Sequence, residues 1–386
     1  MAQAQILVVD DEPDLEFLIL QKFRKKINAK EYQFHFAQNG EEALEKLKNN
    51  ASINLILTDI NMPVMDGLTL LSRINELGNR LLRSVIVSAY GDMENIRIAM
   101  NRGAYDFITK PINLSDLEIT IEKSLKEIEL YQQAISSRER LIALHQELDI
   151  ARKIQTYILP KTFPNRNEFD IFAEMITAKK VGGDLYDFFF LDKNRLAVII
   201  GDVSGKGIAA AMLMAVCKTL LKATAYKGIP ADDVLTEVNN MLVEESPVNM
   251  FVTVFLGVLD IRNGAFEYSN GGHNLPYLVT SDKNVTQLEN IGGLVLGAMK
   301  NMEYQSNLIM LKPGESLFFY TDGITEAFNG ESEEFDENRL EISLSKNNNA
   351  SAKELARKVL SDVKEFSNGV EQSDDITCLA LKFLSN

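Results

Sequence analysis

The 386-residue sequence has few cysteines and few histidines. Its two cysteines, Cys217 and Cys378, lie far apart and are expected to be reduced core residues of a cytoplasmic protein. With only three histidines, any catalysis is expected to depend on carboxylates. No basic segment precedes an apolar stretch at the N-terminus, and no apolar run approaches about 20 residues. Neither a signal peptide nor a membrane-spanning helix is therefore expected.

Positively charged residues are fewer than negatively charged ones. The chain has 40 Lys and Arg against 55 Asp and Glu, a formal net charge of -15. This balance argues against nucleic acid as a partner and suits a soluble protein or one that handles cations. The length predicts two or three domains, which we place at residues 1–122, 123–160 and 161–386.

The first segment alternates short apolar runs with amphipathic stretches. This pattern predicts an α/β domain with a five-stranded parallel sheet that is covered by helices on both faces. Ligands of such sheets bind beyond the carboxyl ends of the strands. The predicted strands are QILVVD (5–10), YQFHFA (32–37), NLILTD (54–59), SVIVSA (84–89) and YDFITK (105–110).

Charged residues stand at three of these strand ends. Asp10 and Asp11 end the first predicted strand, Asp59 ends the third and Lys110 ends the fifth. Three converging carboxylates would repel one another unless a cation neutralised them, and Mg²⁺ prefers such oxygen ligands. Lys110 could balance a phosphoryl group bound at the same place.

This segment resembles the receiver domain of two-component response regulators, which has a flavodoxin-like fold. The resemblance rests on VVDDE, on Asp59 before INMPVMDG, on Ser88-Ala89, on Phe107 and on Lys110-Pro111. It implies that a sensor histidine kinase or phosphotransfer protein phosphorylates Asp59. It also implies Mg²⁺ bound by Asp10, Asp11, Asp59 and the carbonyl of Asn61, a phosphoryl contact from Ser88, a switch motion of Phe107 and a cis Lys110–Pro111 bond.

Residues 113–159 contain no glycine and no proline. Apolar residues recur there at helical spacing over more than 30 residues, which predicts one long helix. A helix of this length favours a coiled coil or dimer stalk, although Arg138 and His145 interrupt a strict heptad. The alternative is a helix that packs on its own domains. Its last part, ELDIARKIQTYILP (147–160), resembles the helix that leads into bacterial regulatory phosphatase domains.

After residue 161 the apolar runs are no longer separated by regular helices. This pattern predicts an α+β sandwich of antiparallel sheets flanked by helices, and the Asn-Gly pair of IRNGAFEY predicts a hairpin. Helices are expected near 206–227, 232–245 and 351–367. The predicted strands are 169–176, 195–203, 249–260, 265–270, 315–322 and 376–384.

Acidic residues again lie at the ends of apolar runs, at Asp184, Asp202, Asp322 and the pair Asp374-Asp375. Neighbouring glycines would let backbone and ligand approach these carboxylates closely. Four carboxylate positions without a neighbouring histidine or cysteine favour Mg²⁺ or Mn²⁺. Two such ions can activate water against a bound phosphate, which is the chemistry of a phosphate-ester hydrolase.

The segment resembles the metal-dependent (PPM, type 2C) serine/threonine phosphatases of the SpoIIE/RsbU-like branch. The motifs are VGGDLYDFF, GDVSGKGIAAAMLMA, NGGHNLPYLV, FFYTDGITEA and SDDITCLAL, in family order over about 200 residues. The resemblance assigns two metal ions to Asp184, Asp202, Asp322 and Asp374, with the carbonyl of Val203. Asp375 is the alternative ligand if the final pair is read one position off.

Two features depart from this resemblance. Lys206 occupies a position where the branch often has histidine, so the general acid is unassigned; Lys206 either attracts phosphate or is a solvated residue at a helix start. His273 is expected to shape a turn. The GGD of VGGDLYDFF also occurs in diguanylate cyclases, but those continue with Glu-Phe rather than Leu185-Tyr186, so we favour a hydrolytic role.

The predicted function is a cytoplasmic, dimeric response regulator whose output is protein phosphatase activity. The resemblance implies a phosphoserine or phosphothreonine substrate on an anti-anti-sigma-factor partner, as in stress-response signalling. The first alternative is a pseudo-phosphatase that binds a partner under the control of receiver phosphorylation. The second is a transcription factor, which the negative charge and the absence of a helix-turn-helix pattern disfavour.

Overall fold

The computed structural model describes residues 3–79, 81–89, 91–245 and 250–384. The chain forms two compact units, Met1–Ala143 and Leu144–Asn386. The domain limits at residues 122 and 160 stay predictions. Residue 249, the first of the strand predicted at 249–260, lies outside the described residues.

The first unit contains the predicted five-stranded parallel sheet, with the order β2-β1-β3-β4-β5. Side chains of β1 alternate between two apolar cores, since Ile6 and Val8 pack on one face of the sheet and Leu7 and Val9 on the other. The elements are β1 (Ala4–Val9), α1 (Pro13–Lys22), α2 (Arg24–Asn28), β2 (Tyr32–Ala37), α3 (Gly40–Asn49), β3 (Ile53–Asp59), α4 (Gly67–Glu76), β4 (Arg83–Ala89), α5 (Met93–Asn101) and β5 (Asp106–Lys110).

A single helix, α6, runs from Leu114 to Ile158, which matches the long helix predicted from the absence of glycine and proline. Its first turns pack on the receiver sheet through Leu117, Ile121 and Ile128. Beyond them, large apolar side chains on the helix are exposed to solvent; these include Leu130, Leu141, Leu144, Ile150 and Ile154.

The second unit is built from two antiparallel five-stranded sheets, with the orders β13-β10-β9-β8-β7 and β12-β11-β14-β15-β6. Its elements are β6 (Phe169–Ile176), β7 (Leu185–Phe190), β8 (Arg195–Val203), α7 (Ile208–Ala225), α8 (Ala231–Glu245), β9 (Val252–Asp260), β10 (Ala265–Gly271), β11 (Tyr277–Val279), β12 (Val285–Gln287), β13 (Ser306–Met310), β14 (Ser316–Tyr320), α9 (Asp336–Lys346), α10 (Ala352–Ser367) and β15 (Ile376–Phe383).

Three apolar layers hold this unit together. The central layer lies between the sheets, where Val198 and Phe255 of one sheet meet Phe319 and Leu379 of the other. The outer layers join α7 and α8 to the first sheet and α9 and α10 to the second. This α-β-β-α arrangement confirms the predicted sandwich.

The helix α7 is long and apolar enough to span a membrane by composition alone. It carries buried Ala210, Met214, Cys217 and Leu221, which pack in the same core as strands β7 and β8. We therefore interpret it as a core helix of the sandwich.

Candidate functional site

The receiver carboxylates Asp10, Asp11 and Asp59 lie together at the carboxyl end of the parallel sheet. Each offers an oxygen, and these oxygens are all within 4.8 Å of one another. They converge because β1 and β3 are adjacent and parallel, with Val9 paired to Thr58, so that the residues ending the two strands share one edge. Three hard oxygen donors at this separation fit a Mg²⁺ ion.

Lys110 reaches the same cluster from the end of β5. Its Nζ lies 2.8 Å from Asp59 Oδ2 and 3.1 Å from Asp10 Oδ2. Burial alone would lower the pKa of Lys110, but its contacts with these two carboxylates raise it. Burial raises the pKa of Asp10. The site therefore combines crowded negative charge with one fixed cation.

Three other predicted receiver residues differ in their burial. Ser88 is fully buried, and its hydroxyl donates to Asp92 at 3.3 Å. The Phe107 side chain is 39% exposed, which is an outward position. Asn61 is exposed in the loop after β3. The Lys110–Pro111 bond is cis, as expected.

The second unit places four acidic positions at the ends of four of its strands. Asp184 directly precedes β7, and Asp202 is the second-last residue of β8. Asp322 follows β14 by two residues, and Asp374 precedes β15 by two. Each sheet therefore contributes two carboxylates.

Asp184 is the most deeply buried of the four, with a side chain that is 1% exposed. Burial raises the pKa of Asp184 well above its ordinary value, and the neighbouring carboxylates of Asp202 and Asp375 raise it further. The Thr321 hydroxyl donates to Asp184 Oδ2 at 2.8 Å, which fixes the orientation of the carboxylate.

Asp202 and Asp322 also have raised pKa values. Burial raises the pKa of Asp202 to about 7, and Asp322 adds to the shift. Burial, followed by the charge of Asp374, raises the pKa of Asp322. The Val203 carbonyl faces the loop that carries Asp184, since a side chain on Gly183 would come within 2.8 Å of the carbonyl oxygen. Such clustered oxygen donors fit divalent hard cations.

These carboxylates are spread more widely than those of the receiver. Within the described parts of the chain, the receiver trio is the group whose ligand atoms all lie within 4.8 Å of one another. Carboxylates spread in this way could hold a pair of divalent cations, which would activate a water molecule and clamp a phosphate.

Asp374 and Asp375, adjacent in sequence, have different surroundings. Both Asp375 oxygens accept backbone hydrogen bonds, from Ala178 N at 2.8 Å and from Gly183 N at 2.8 Å. Asp375 therefore holds the loop that carries Asp184. Asp374 is more exposed, and its Oδ2 lies 2.8 Å from Lys206 Nζ. Lys206 also donates to the Ser373 carbonyl at 2.7 Å, so it is placed at the edge of the cluster.

Gln155, near the end of α6, was missed by the sequence analysis. Its side-chain amide donates to the Gly182 carbonyl at 2.8 Å and accepts from Gly182 N at 3.1 Å. The side chain is buried, and it contacts the loop two residues before Asp184. The sequence contains no pattern that identifies Gln155, because its burial in a mostly solvent-exposed part of α6 is visible only in the structure.

A buried ion pair between β7 and α7 was also missed. Asp187 Oδ2 lies 2.6 Å from Lys218 Nζ, and the two side chains are 1% and 8% exposed. Lys222 Nζ lies farther away, at 3.5 Å, and is more exposed. The sequence signal was an Asp inside the apolar run LYDFFF and a Lys on the buried face of an apolar helix.

His273 is buried, and its backbone takes part in a turn with Asn270, whose side chain bonds both the N–H and the carbonyl of His273. The His273 Nδ1 lies 2.8 Å from Thr253 Oγ1, and burial lowers the pKa of the imidazole to about 4. Thr253 lies on β9 and is paired with Asp202 of β8. The neutral histidine therefore supports β9 at the position beside Asp202.

Comparison with known families identifies both units. Residues 192–384 match the model of the Stage II sporulation protein E (SpoIIE) family, and residues 6–122 match the response regulator receiver domain. The matches lie on the phosphatase-like sandwich and on the parallel sheet, respectively.

Individual proteins give the same picture. Protein IcfG of Synechocystis sp. is 32% identical over 262 residues, covering 61% of this chain but 41% of IcfG. Phosphoserine phosphatase RsbU of Bacillus subtilis is 27% identical over 254 residues, covering 65% of this chain and 74% of RsbU. The crystal structure of the RsbU and RsbW domains of Rv1364c from Mycobacterium tuberculosis aligns with a TM-score of 0.51 and 28% identity, over 57% of this chain and 62% of that one.

Proposed function

This chain belongs to the SpoIIE family and combines a receiver domain with a PPM serine/threonine phosphatase domain, and we propose that the first regulates the second. Phosphorylation of Asp59 controls removal of phosphate from phosphoserine or phosphothreonine on a partner protein. The observation that carries the proposal is the convergence of Asp184, Asp202, Asp322 and Asp374 from both sheets of the sandwich.

The residues that hold the phosphatase ions are, in this proposal, Asp184, Asp202, Asp322, Asp374 and the Val203 carbonyl. Two Mg²⁺ or Mn²⁺ ions supply an activated water and neutralise the phosphate oxygens. Asp375 acts differently: because both its oxygens are occupied by backbone donors, it positions Asp184. Thr321 keeps the Asp184 carboxylate aimed into the cluster.

The receiver site takes a phosphoryl group from a sensor histidine kinase or a phosphotransfer protein. Asp10, Asp11, Asp59 and the Asn61 carbonyl hold Mg²⁺ there. Support comes from the crowded carboxylates and from Lys110, which already lies 2.8 Å from the acceptor and can pair with a phosphoryl oxygen. On phosphorylation, Ser88 exchanges its bond to Asp92 for the phosphoryl group, and Phe107 turns inward.

The partner is an anti-anti-sigma-factor-like phosphoprotein, and the protein works in the cytoplasm without nucleic acid or membrane. The family and the similarity to phosphoserine phosphatase RsbU support this substrate class. A homodimer forms through α6, as the exposed Leu130, Leu141 and Ile150 on this helix support.

The first test is hydrolysis of a small aryl phosphate by the full chain with Mn²⁺ or Mg²⁺. We expect turnover that is lost in EDTA and in the Asp322→Asn variant, because one oxygen ligand of the cluster is then weakened. Candidate phosphoproteins should be dephosphorylated at different rates with and without a phosphoryl mimic at Asp59. A folded wild-type protein without turnover at any metal concentration would contradict the proposal, and metal binding without turnover would favour the partner-binding adaptor.

A second prediction concerns Lys206, the cation at the edge of the cluster. Lys206→Ala is expected to raise the KM for an aryl phosphate dianion about tenfold and to weaken inhibition by inorganic phosphate, since a charge-assisted contact is lost. Lys193→Ala, which removes the same charge from an exposed site, serves as the control. An unchanged KM would show that Lys206 does not bind phosphate and only holds Asp374 and the Ser373 carbonyl.

A further inference from the structure

A cavity of about 690 Å³ lies next to the phosphatase carboxylates. It is bounded by α10, by the loop between α10 and β15, and by the residues after β14. Its wall includes Gly323 and Ser373, which directly adjoin Asp322 and Asp374 in the sequence. The cavity and the carboxylate cluster therefore share two loops.

The lining of the cavity is mostly apolar, and part of it is open to solvent. Ile176, Phe328 and Val370 are 42%, 37% and 38% exposed, although each carries a large apolar side chain. Val363 and Ile376 continue the apolar surface inward and are buried. Exposed apolar side chains gathered in one concave surface are typical of a binding site.

The loop between the cavity and the carboxylates is held in place by hydrogen bonds. Gln372 Nε2 donates to the Ile176 carbonyl at 2.8 Å and to the Asp374 carbonyl at 2.6 Å. Lys206 holds the Ser373 carbonyl from the other side. The cavity is thus formed before a ligand arrives, and its position relative to Asp374 is fixed.

The charges around the cavity do not favour an anionic ligand. Arg357 pairs with Glu174 at 3.7 Å and lies over the Phe172 ring, so its charge is already engaged. Lys364 and Glu371 contribute one charge of each sign at the edge. An apolar side chain, which needs no counter-charge, fits this lining better than an anion does.

We propose that the cavity binds an apolar side chain of the phosphoprotein substrate, located within about three residues of the phosphorylated serine or threonine. The inference rests on the proposed phosphatase function. An extended chain advances about 3.3–3.6 Å per residue, so a phosphorylated residue at the carboxylates places its near neighbours beyond the shared loops. The cavity then selects among phosphoproteins by the residues that flank the phosphate.

The test uses the full chain and nine-residue phosphoserine peptides of glycine and alanine. A single leucine is placed in turn at each of the three positions on either side of the phosphoserine. For the wild type, at least one leucine position should lower KM about tenfold relative to the leucine-free peptide. Ser361→Trp, which fills the cavity from an exposed position on α10, should remove this preference.

Lys358→Trp is the matched control, because it adds the same ring at an exposed position of the same helix that does not line the cavity. It should keep the leucine preference, and all three proteins should hydrolyse an aryl phosphate within twofold of one another. The proposal would be overturned by wild-type KM values that ignore leucine, or by a Ser361→Trp variant that loses activity equally on all peptides and the aryl phosphate. A wild type inactive on aryl phosphate would overturn the phosphatase function itself, and this inference with it.

Discussion

Lys218→Met is expected to lower the free energy of unfolding of the second unit by about 3 kcal/mol, the largest stability change we predict. The substitution leaves the Asp187 carboxylate, which is 1% exposed, without its close partner inside an apolar strand. Lys222, at 3.5 Å, is too distant and too exposed to replace it fully. Urea unfolding followed by circular dichroism measures the change as a lower midpoint in one transition.

Two variants separate this effect from simple loss of packing. Lys222→Met should cost less than about 1 kcal/mol, because that ammonium group is only weakly coupled to Asp187. Adding Asp187→Leu to Lys218→Met should recover much of the lost stability, since no buried charge then remains unpaired. If Lys218→Met unfolds at the wild-type urea concentration, the buried pair does not contribute as described.

The second large effect concerns pH in the absence of metal. The pKa of Asp202 is raised to about 7 in the folded chain, against an ordinary value of 3.8. Between these values Asp202 binds more protons in the folded state than in the unfolded state, so its contribution to stability is fully present below about pH 4 and is lost as the pH rises to about 7. We expect a loss on the order of 3 kcal/mol across this window in EDTA, measured by thermal or urea unfolding.

Raised pKa values of Asp184 and Asp322 act in the same direction. Saturating Mn²⁺ should reverse the trend, because a bound cation favours the ionised carboxylates. Asp202→Asn should flatten the pH dependence of the metal-free protein. The same variant should reduce turnover at least about a hundredfold, since even the loss of a residue that only orients a metal ligand reduces activity about 10–100-fold. A melting temperature of the metal-free wild type that is constant from pH 4 to 7 would contradict the predicted pH dependence.

The sequence predicted the features that repeat along the chain. Alternation of apolar runs and helices identified the parallel sheet, and unbroken apolar runs such as RLAVIIGDV identified the central strands of the sandwich, which bury both faces. The acidic strand ends were visible because carboxylates interrupt apolar runs. The strands β7, β11, β12 and β13 and the helix α9 were missed. Strands β11 to β13 have only three to five residues, α9 is rich in charge, and Asp187 interrupts the apolar run of β7, so each has weak periodicity.

Pairwise contacts between distant segments could not be predicted in this way. Gln155 and Gly182 are 27 residues apart, and Asp187 and Lys218 are 31 apart. Each residue alone is ordinary for its segment, and only the tertiary fold makes it a partner. The ambiguity between Asp374 and Asp375 had the same origin, because which carboxylate turns inward depends on the backbone donors of Ala178 and Gly183.

Two glycines pack closely against Asp375, and this packing has a consequence for substitutions at the carboxylate cluster. A side chain on Gly182 would lie 2.0 Å from Asp375 Oδ2, and one on Gly323 would lie 2.0 Å from the Asp375 carbonyl. Gly182 thus packs against the Asp375 carboxylate and Gly323 against the Asp375 main chain, and neither contact involves the side chains of Asp184, Asp202 or Asp322. An Asp→Asn exchange at these three positions should therefore alter chemistry while these contacts are kept. Alanine at Gly182 would displace the Asp375 carboxylate, and alanine at Gly323 would push its loop away from the Asp375 main chain.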